Sequence, residues 1–188
     1  MALAFSTEAL RKIDDIKRQY PTTQAACLPA LHLAQDEFGH LSDDAIELVA
    51  TTLGLPRAHV FGVATFYTMY HRKPVGKRVL MMCTNVSCML TGGYETLHAL
   101  EEKLGIKAGE TTLDGEFTLI EEECLAACAD APAMICGPRY FLRLTADKVD
   151  QALVECRRMA PAHGGHGGHG GHAGHGSQGS NDAQGGKH

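Results

Sequence analysis

The chain has no surplus of positive charge: its 17 Lys and Arg face 22 Asp and Glu, for a formal net charge of −5. With so little to neutralise a run of phosphates, a nucleic-acid partner is disfavoured. No apolar run approaches the ~20 residues needed to span a bilayer. The N-terminus, MALAFSTEALRK, lacks a basic stretch followed by an apolar one, and an acidic residue appears as early as Glu8. Neither a secretory signal nor a transit peptide is expected from that pattern. Two absences bear on chemistry. Without a Cys-x-x-Cys pair, a dithiol oxidoreductase is poorly supported. Without Gly-x-Gly-x-x-Gly or a P-loop, Gly92-Gly93 opens a helix but completes no nucleotide fingerprint. The chain is therefore expected to bind neither NADH nor flavin by itself, and no acid–base or nucleophilic constellation names a catalytic residue.

Cysteine and glycine stand out among what is present. Of 188 residues, seven are Cys, and eleven of the 21 Gly lie after residue 160. The segment 161–188, PAHGGHGGHGGHAGHGSQGSNDAQGGKH, holds almost nothing that could be buried and reads as a disordered tail. Its His163, His166, His169, His172 and His175 recur every three residues. Imidazoles in that number could bind nickel, copper or zinc, but Gly fixes no helix to hold them, and the composition favours a flexible solvated tail.

The first part of the chain reads as four short helices. Leu10, Ile13, Ile16 and Tyr20 form a stripe after Ser6-Thr7, and Pro21 stops it. A second helical stretch runs from Thr23 to Phe38 and ends at Gly39, with a kink or a late start expected at Pro29. The third is the clearest, with Ser42 as cap, Asp43 and Asp44 at its positive end, and a face of Ile46, Val49, Ala50 and Leu53 before Gly54. The fourth starts at Pro56 and carries His59–Tyr70.

After Pro74-Val75-Gly76 the pattern changes. A buried strand is expected at 78–83, then a loop, then a helix over 93–104 with stripe Tyr94, Leu97, Leu100 and Leu104. Strands follow near 117–120, 133–136 and 140–144, the last two flanking Gly137-Pro138-Arg139 as a hairpin. A final helix, capped by Thr145, buries Val149, Ala152, Leu153 and Cys156. The expected class is mixed, α+β or α/β. A small helical bundle over 1–74 would precede a thioredoxin-like sandwich over 75–160, with 161–188 as tail.

Four cysteines fall in two tight pairs, Cys83-x4-Cys88 and Cys124-x3-Cys128, 35 residues apart. Each pair follows an expected strand, so two loops at one end of a sheet could converge four thiolates. Cys27, Cys136 and Cys156 lie in helical or strand segments and read as small core hydrophobes. Four thiolates suit zinc in a structural, zinc-stabilised interaction domain. They also suit a [2Fe–2S] cluster, whose two irons tolerate longer spacings. Spacing favours iron–sulfur and leaves zinc open.

Over residues 6–158 the sequence resembles the small thioredoxin-like [2Fe–2S] subunit family of respiratory NADH:quinone oxidoreductase (complex I), called the E subunit in bacteria. The resemblance is carried by LPALHLAQDEFGHLS (28–42), VFGVATFYTMY (60–70), PVGK (74–77) and CTNVSCMLTGG (83–93). Its strongest part is Asp114-x-x-Phe117-Thr118-x5-Cys124-Leu125-Ala126-x-Cys128-x-x-Ala131-Pro132. It implies that Cys83, Cys88, Cys124 and Cys128 bind one [2Fe–2S] cluster. It also implies an electron-transfer role beside a partner flavoprotein subunit that binds NADH and FMN, with other peripheral-arm subunits nearby. The location implied is cytoplasmic, on the peripheral arm of a membrane complex, with VFGVATFYTMY a candidate contact. The same module in a soluble NAD-linked hydrogenase or formate dehydrogenase shares these motifs. Two departures matter. Ala126 stands where the family usually has Gly, which would add strain if that position needs φ > 0. His40 stands where an aromatic is common. Finally, Glu121, Glu122 and Glu123 precede Cys124; such a run is often just a solvated face, but beside a cluster it should lower the reduction potential.

Overall fold

The computed structural model describes residues 3–161. The features expected of the tail after residue 161 lie outside the described residues.

Four helices come first: α1 (Thr7–Gln19), α2 (Cys27–Phe38), α3 (Asp43–Leu53) and α4 (Arg57–Phe66). Ser6 and Ser42 cap α1 and α3 by accepting hydrogen bonds from the Ala9 and Ala45 amides, 3.2 Å each. Gly39 and Gly54 close α2 and α3 in the left-handed region, at φ 78° and 66°, where a Cβ would add strain. The face expected on α3 is the observed one: Ile46, Val49, Ala50 and Leu53 are all buried. The late start of α2 is also observed, and it places Pro29 in the first turn, where a missing N–H leaves no hydrogen bond unmade.

Two expectations about these helices need correction. On α1, Leu10 and Tyr20 are exposed, while Phe5, Ala9 and Ile13 are buried with Ile16 packed against them. Once Ser6 fixes the start, the 9-13-16 spacing outranks side-chain size in choosing the buried face. Helix α4 ends at Phe66 rather than reaching Tyr70. Tyr70 instead turns back to donate its hydroxyl to the Leu28 carbonyl at 2.8 Å. These helices share one core in which Ile13, Leu31, Ile46, Val49 and Val60 are almost fully buried, each contributing roughly 1.5–3 kcal/mol of transfer free energy.

A four-stranded sheet follows: β1 (Arg78–Cys83), β2 (Phe117–Glu122), β3 (Ala133–Cys136) and β4 (Arg139–Leu142), in the order β2-β1-β3-β4. Strands β1 and β2 are parallel, and the other pairings are antiparallel. Between β1 and β2 the chain forms a short helix, α5 (Val86–Leu90), and then α6 (Gly93–Leu104); α7 (Val149–Arg158) follows β4. The register aligns Leu119, Leu80 and Cys136 in one row and Met82, Met134 and Phe141 in another. These alternate residues make one apolar face, covered by α6 and α7. The expected face of α7 is buried as read, but its N-cap is Lys148, because residues 146–148 form a 3-10 turn after Thr145. On α6, Tyr94 is exposed, and Thr96 takes its place by donating its hydroxyl to the Leu144 carbonyl at 2.9 Å.

Arg78, nearly buried at the start of β1, pins the end of α7. Its guanidinium donates to the carbonyls of Cys156 (2.6 Å), Arg157 (2.8 Å) and Met159 (2.7 Å) and pairs with Glu116. A helix end otherwise left with unsatisfied carbonyls is thereby closed by a cation, the sign its dipole favours.

Candidate metal centre

The site follows from strand phase. Leu80 and Met82 point into the α6/α7 face, so Cys83 is one residue out of phase with that layer. It is paired in register with Glu122 at the end of β2. Because β1 and β2 are parallel neighbours, the chain leaves both at the same end of the sheet. Thr84 extends the ladder by one step, its amide donating to the Glu122 carbonyl at 3.1 Å.

The first loop is shorter than expected, because the five residues of α5 occupy it. Asn85 starts that helix, its side-chain oxygen accepting from the Val86 amide at 2.7 Å. The turn carries Cys88 back beside Cys83, and both are buried. Sequence reasoning missed α5 for lack of length; Asn85 as an N-cap was the available signal. Gly93 packs α6 against this loop: a Cβ there would lie 2.8 Å from the carbonyl carbon and oxygen of Cys88 and 3.2 Å from the Cys83 oxygen.

The second loop leaves β2 through Glu123, whose carbonyl accepts from Cys83 Sγ at 3.7 Å. Ala126 has φ 56°, so the position does require the left-handed region, as its mismatch with the family pattern suggested. Its amide donates to Cys124 Sγ at 3.4 Å. Cys128 opens a 3-10 turn over Cys128–Asp130, and the Ala131–Pro132 peptide that follows is cis. Strand β4 and the residue after it hold this loop from outside. The Tyr140 hydroxyl donates to the Leu125 carbonyl at 3.2 Å, the Arg143 amide to the Asp130 carbonyl at 2.8 Å, and the Arg143 guanidinium pairs with Asp130 at 2.8 Å. None of these supports was legible in the sequence.

The loops meet in a small apolar cluster: buried Cys83, Cys88 and Ala133, with Leu125, Ala127 and Ala131 packed against them. Cys124 and Cys128 are exposed on its outer side. Burial, together with a hydrogen bond to Cys83, pushes the Cys88 thiol up to about 11, against a smaller opposing effect of the Ala133 amide. Negative charge on Cys83 and Cys128 acts in the same direction, as a smaller contribution. Burial, and then Glu123, also raises the Glu122 carboxyl. Thiolates crowded in a dry cluster need a cation to stay ionised. Among the described residues, no three His, Cys, Asp or Glu side chains surround a single ion position. Two cysteine pairs, one buried and one exposed, on loops that share one apolar cluster, fit a two-iron cluster in donor chemistry.

The other three cysteines lie elsewhere. Cys27 is in the helical core, where burial raises its thiol. Cys136 and Cys156 touch beneath the sheet; their mutual hydrogen bond lowers Cys136 and, with burial, raises Cys156.

Comparison with known proteins bears on the family and the fold. Residues 13–157 match the family model described as thioredoxin-like [2Fe-2S] ferredoxin. The chain is 47% identical over 149 residues to the second of the E subunits of NADH-quinone oxidoreductase in Rhizobium meliloti, covering 79% of this chain and 88% of that one. It is 41% identical to the E subunit of NADH-quinone oxidoreductase in Rickettsia bellii, covering 82% and 94%. In fold it is similar to a chain of an NAD+-reducing [NiFe]-hydrogenase in the air-oxidized state, at TM-score 0.60 and 23% identity over 70% of this chain and 22% of that one. No described helix is long and apolar enough to cross a membrane. With a match that takes in both cysteine loops and the helices before them, the chain belongs to the thioredoxin-like [2Fe-2S] ferredoxin family.

Proposed function

We propose that this chain is the electron-transfer E subunit of an NADH-quinone oxidoreductase and holds one [2Fe–2S] cluster on Cys83, Cys88, Cys124 and Cys128. The observation that carries the reading is the convergence of both cysteine loops on one apolar cluster at the end of parallel β1 and β2. When bound, such a cluster takes up and gives back one electron at a time. The residues of this chain supply the rest. Leu125, Ala127, Ala131 and Ala133 exclude water from the inner thiolates. The Ala126 and Ala133 amides offer hydrogen bonds to Cys124 and Cys88 and so stabilise added negative charge. The exposed Cys124 and Cys128 lie at the outer edge, where a redox partner can approach.

Within this reading, residues 75–160 form the cluster-binding domain and 1–74 the helical bundle. The partner is the flavoprotein subunit that binds NADH and FMN. Hydride chemistry takes place there, and this chain exchanges single electrons with the flavin from the cytoplasmic peripheral arm, beside other subunits of that arm. The relatives at 41–47% identity favour this host over a hydrogenase, whose likeness is one of fold.

Purified full-length protein should be coloured, contain two irons and two sulfides per chain, and give a paramagnetic resonance signal on reduction. Cys124→Ser should abolish that signal, whereas Cys27→Ala should retain it. A colourless protein with one zinc per chain overturns the reading in favour of a zinc-stabilised interaction domain. Co-purification with hydrogenase subunits instead of a quinone oxidoreductase overturns the assignment of host.

A further inference from the structure

The peptide between Leu125 and Ala126 is held from both sides. Its carbonyl accepts the Tyr140 hydroxyl at 3.2 Å, and its N–H donates to Cys124 Sγ at 3.4 Å. These two groups belong to one rigid amide plane, so whatever fixes the carbonyl also aims the N–H. The plane is poorly secured by its own backbone, because Ala126 sits at φ 56°, where an L-residue with a Cβ is strained. Tyr140 is well placed to hold it: it lies on β4, paired in register with Ile135, so its ring is carried by the sheet and not by the loop. A donor on the carbonyl also polarises the amide and strengthens the hydrogen bond its N–H makes.

We propose that Tyr140 is a positioning residue for the metal centre, orienting the Leu125–Ala126 amide so that its N–H stays on the Cys124 sulfur. The inference rests on the proposed function, since its consequence is electrochemical: a hydrogen bond to a ligand sulfur stabilises the reduced, more negative state and raises the potential. Tyr140→Phe removes only the hydroxyl. In full-length, cluster-loaded protein the variant should be harder to reduce, with the reduced-to-oxidised ratio at fixed ambient potential falling about two- to threefold. The coupling of the 15N-labelled Ala126 amide to the reduced centre should weaken by pulsed paramagnetic resonance. An unchanged ratio and coupling in the loaded variant overturn the inference while leaving the proposed function standing.

A second measurement needs no cluster. In metal-free full-length protein, hydrogen exchange at the Ala126 amide should be several-fold faster in Tyr140→Phe than in the parent, with exchange in α1 and α3 unaltered. Equal rates at Ala126 overturn the inference even if the variant cannot be loaded. A parent chain that takes up no cluster under conditions that load its relatives overturns the proposed function, whatever the exchange rates show.

Discussion

Gly93 gives the sharpest test of how the first cysteine loop is built. A Cβ there would lie 2.8 Å from the Cys88 carbonyl carbon and oxygen, about 0.6 Å inside the 3.4 Å at which ordinary contact begins. Both atoms are backbone, so no rotamer change relieves the clash. Either the first turn of α6 or the loop carrying Cys83 and Cys88 must move. Overpacking of this kind costs about 1–3 kcal/mol. The better helix propensity of Ala returns at most ~1 kcal/mol at this first helical residue. Gly93→Ala should therefore lose about 1–2 kcal/mol in urea unfolding of the metal-free chain, roughly 2–8 °C in Tm at this size. It should also lower iron bound per chain after reconstitution. Gly62→Ala in α4 supplies the contrast: nothing lies within 4 Å of its Cβ position, so it should gain about 0.5–1 kcal/mol. A Gly93→Ala protein as stable as its parent, with a full complement of iron, would refute the close approach between α6 and the Cys88 loop.

Other expectations follow from single features. Ala126→Gly relieves left-handed strain of about 1–2 kcal/mol and concedes about 0.4–1 kcal/mol to a freer unfolded chain; stability should stay level or rise slightly in denaturant melts. Ala126→Val, β-branched at φ 56°, should destabilise the loop and lose iron on dilution. Replacing Glu121, Glu122 and Glu123 together with Gln should raise the midpoint potential of the loaded protein, and an unmoved potential would assign the run to solvent alone. Glu101 is held at about 2, chiefly by Lys107 and then by the Ala108 amide, against an ordinary 4.5. A carboxyl depressed in the folded state adds stability above its unfolded pKa and loses it as pH falls through the folded one. Parent stability should therefore drop between pH 4.5 and pH 2 by more than that of Glu101→Gln; parallel curves would show that the Lys107 pairing contributes nothing.

The sequence was readable where one residue type does one job. Ser42, Gly54 and the i, i+3, i+4, i+7 face of α3 are each sufficient alone, and all stand as read. Strands β1 and β3 are short apolar runs between breakers, and their bounds match. Misreadings cluster where size was taken for burial. Leu10, Tyr20 and Tyr94 are large and look like core, yet the neighbouring Ala9 and Thr96 are the residues that pack. A small side chain lets helices approach closely, and the larger one is then left at the rim. The order β2-β1-β3-β4 was not legible, because strand order depends on which faces α6 and α7 cover, and no local pattern encodes that.

The centre itself divides along the same line. Cysteine spacing and position after strands named the four candidate thiols, and parallel β1 and β2 bring their loops to one end. The residues around them could not be named, because each acts through geometry set by a distant segment. Tyr140, 15 residues from Leu125, reads locally as an ordinary strand aromatic. Arg143 reads as a solvated charge, although it fixes Asp130 through both its backbone and its side chain. The exception is Ala126, visible in the sequence only as a mismatch with the family pattern and in the structure as φ 56°. Gly would hold that conformation without strain, so this chain relies more heavily on contacts from outside the loop. Tyr140 and Arg143 supply them from the end of the sheet. The strain at Ala126 and the clamp by Tyr140 are thus one feature: substituting Gly at 126 removes the strain that works against the clamp, and the Leu125–Ala126 amide should then depend less on Tyr140 for its orientation. The Tyr140→Phe effect on potential should be smaller in the Ala126→Gly background than in the parent, and an equal effect in both would show that the two act independently.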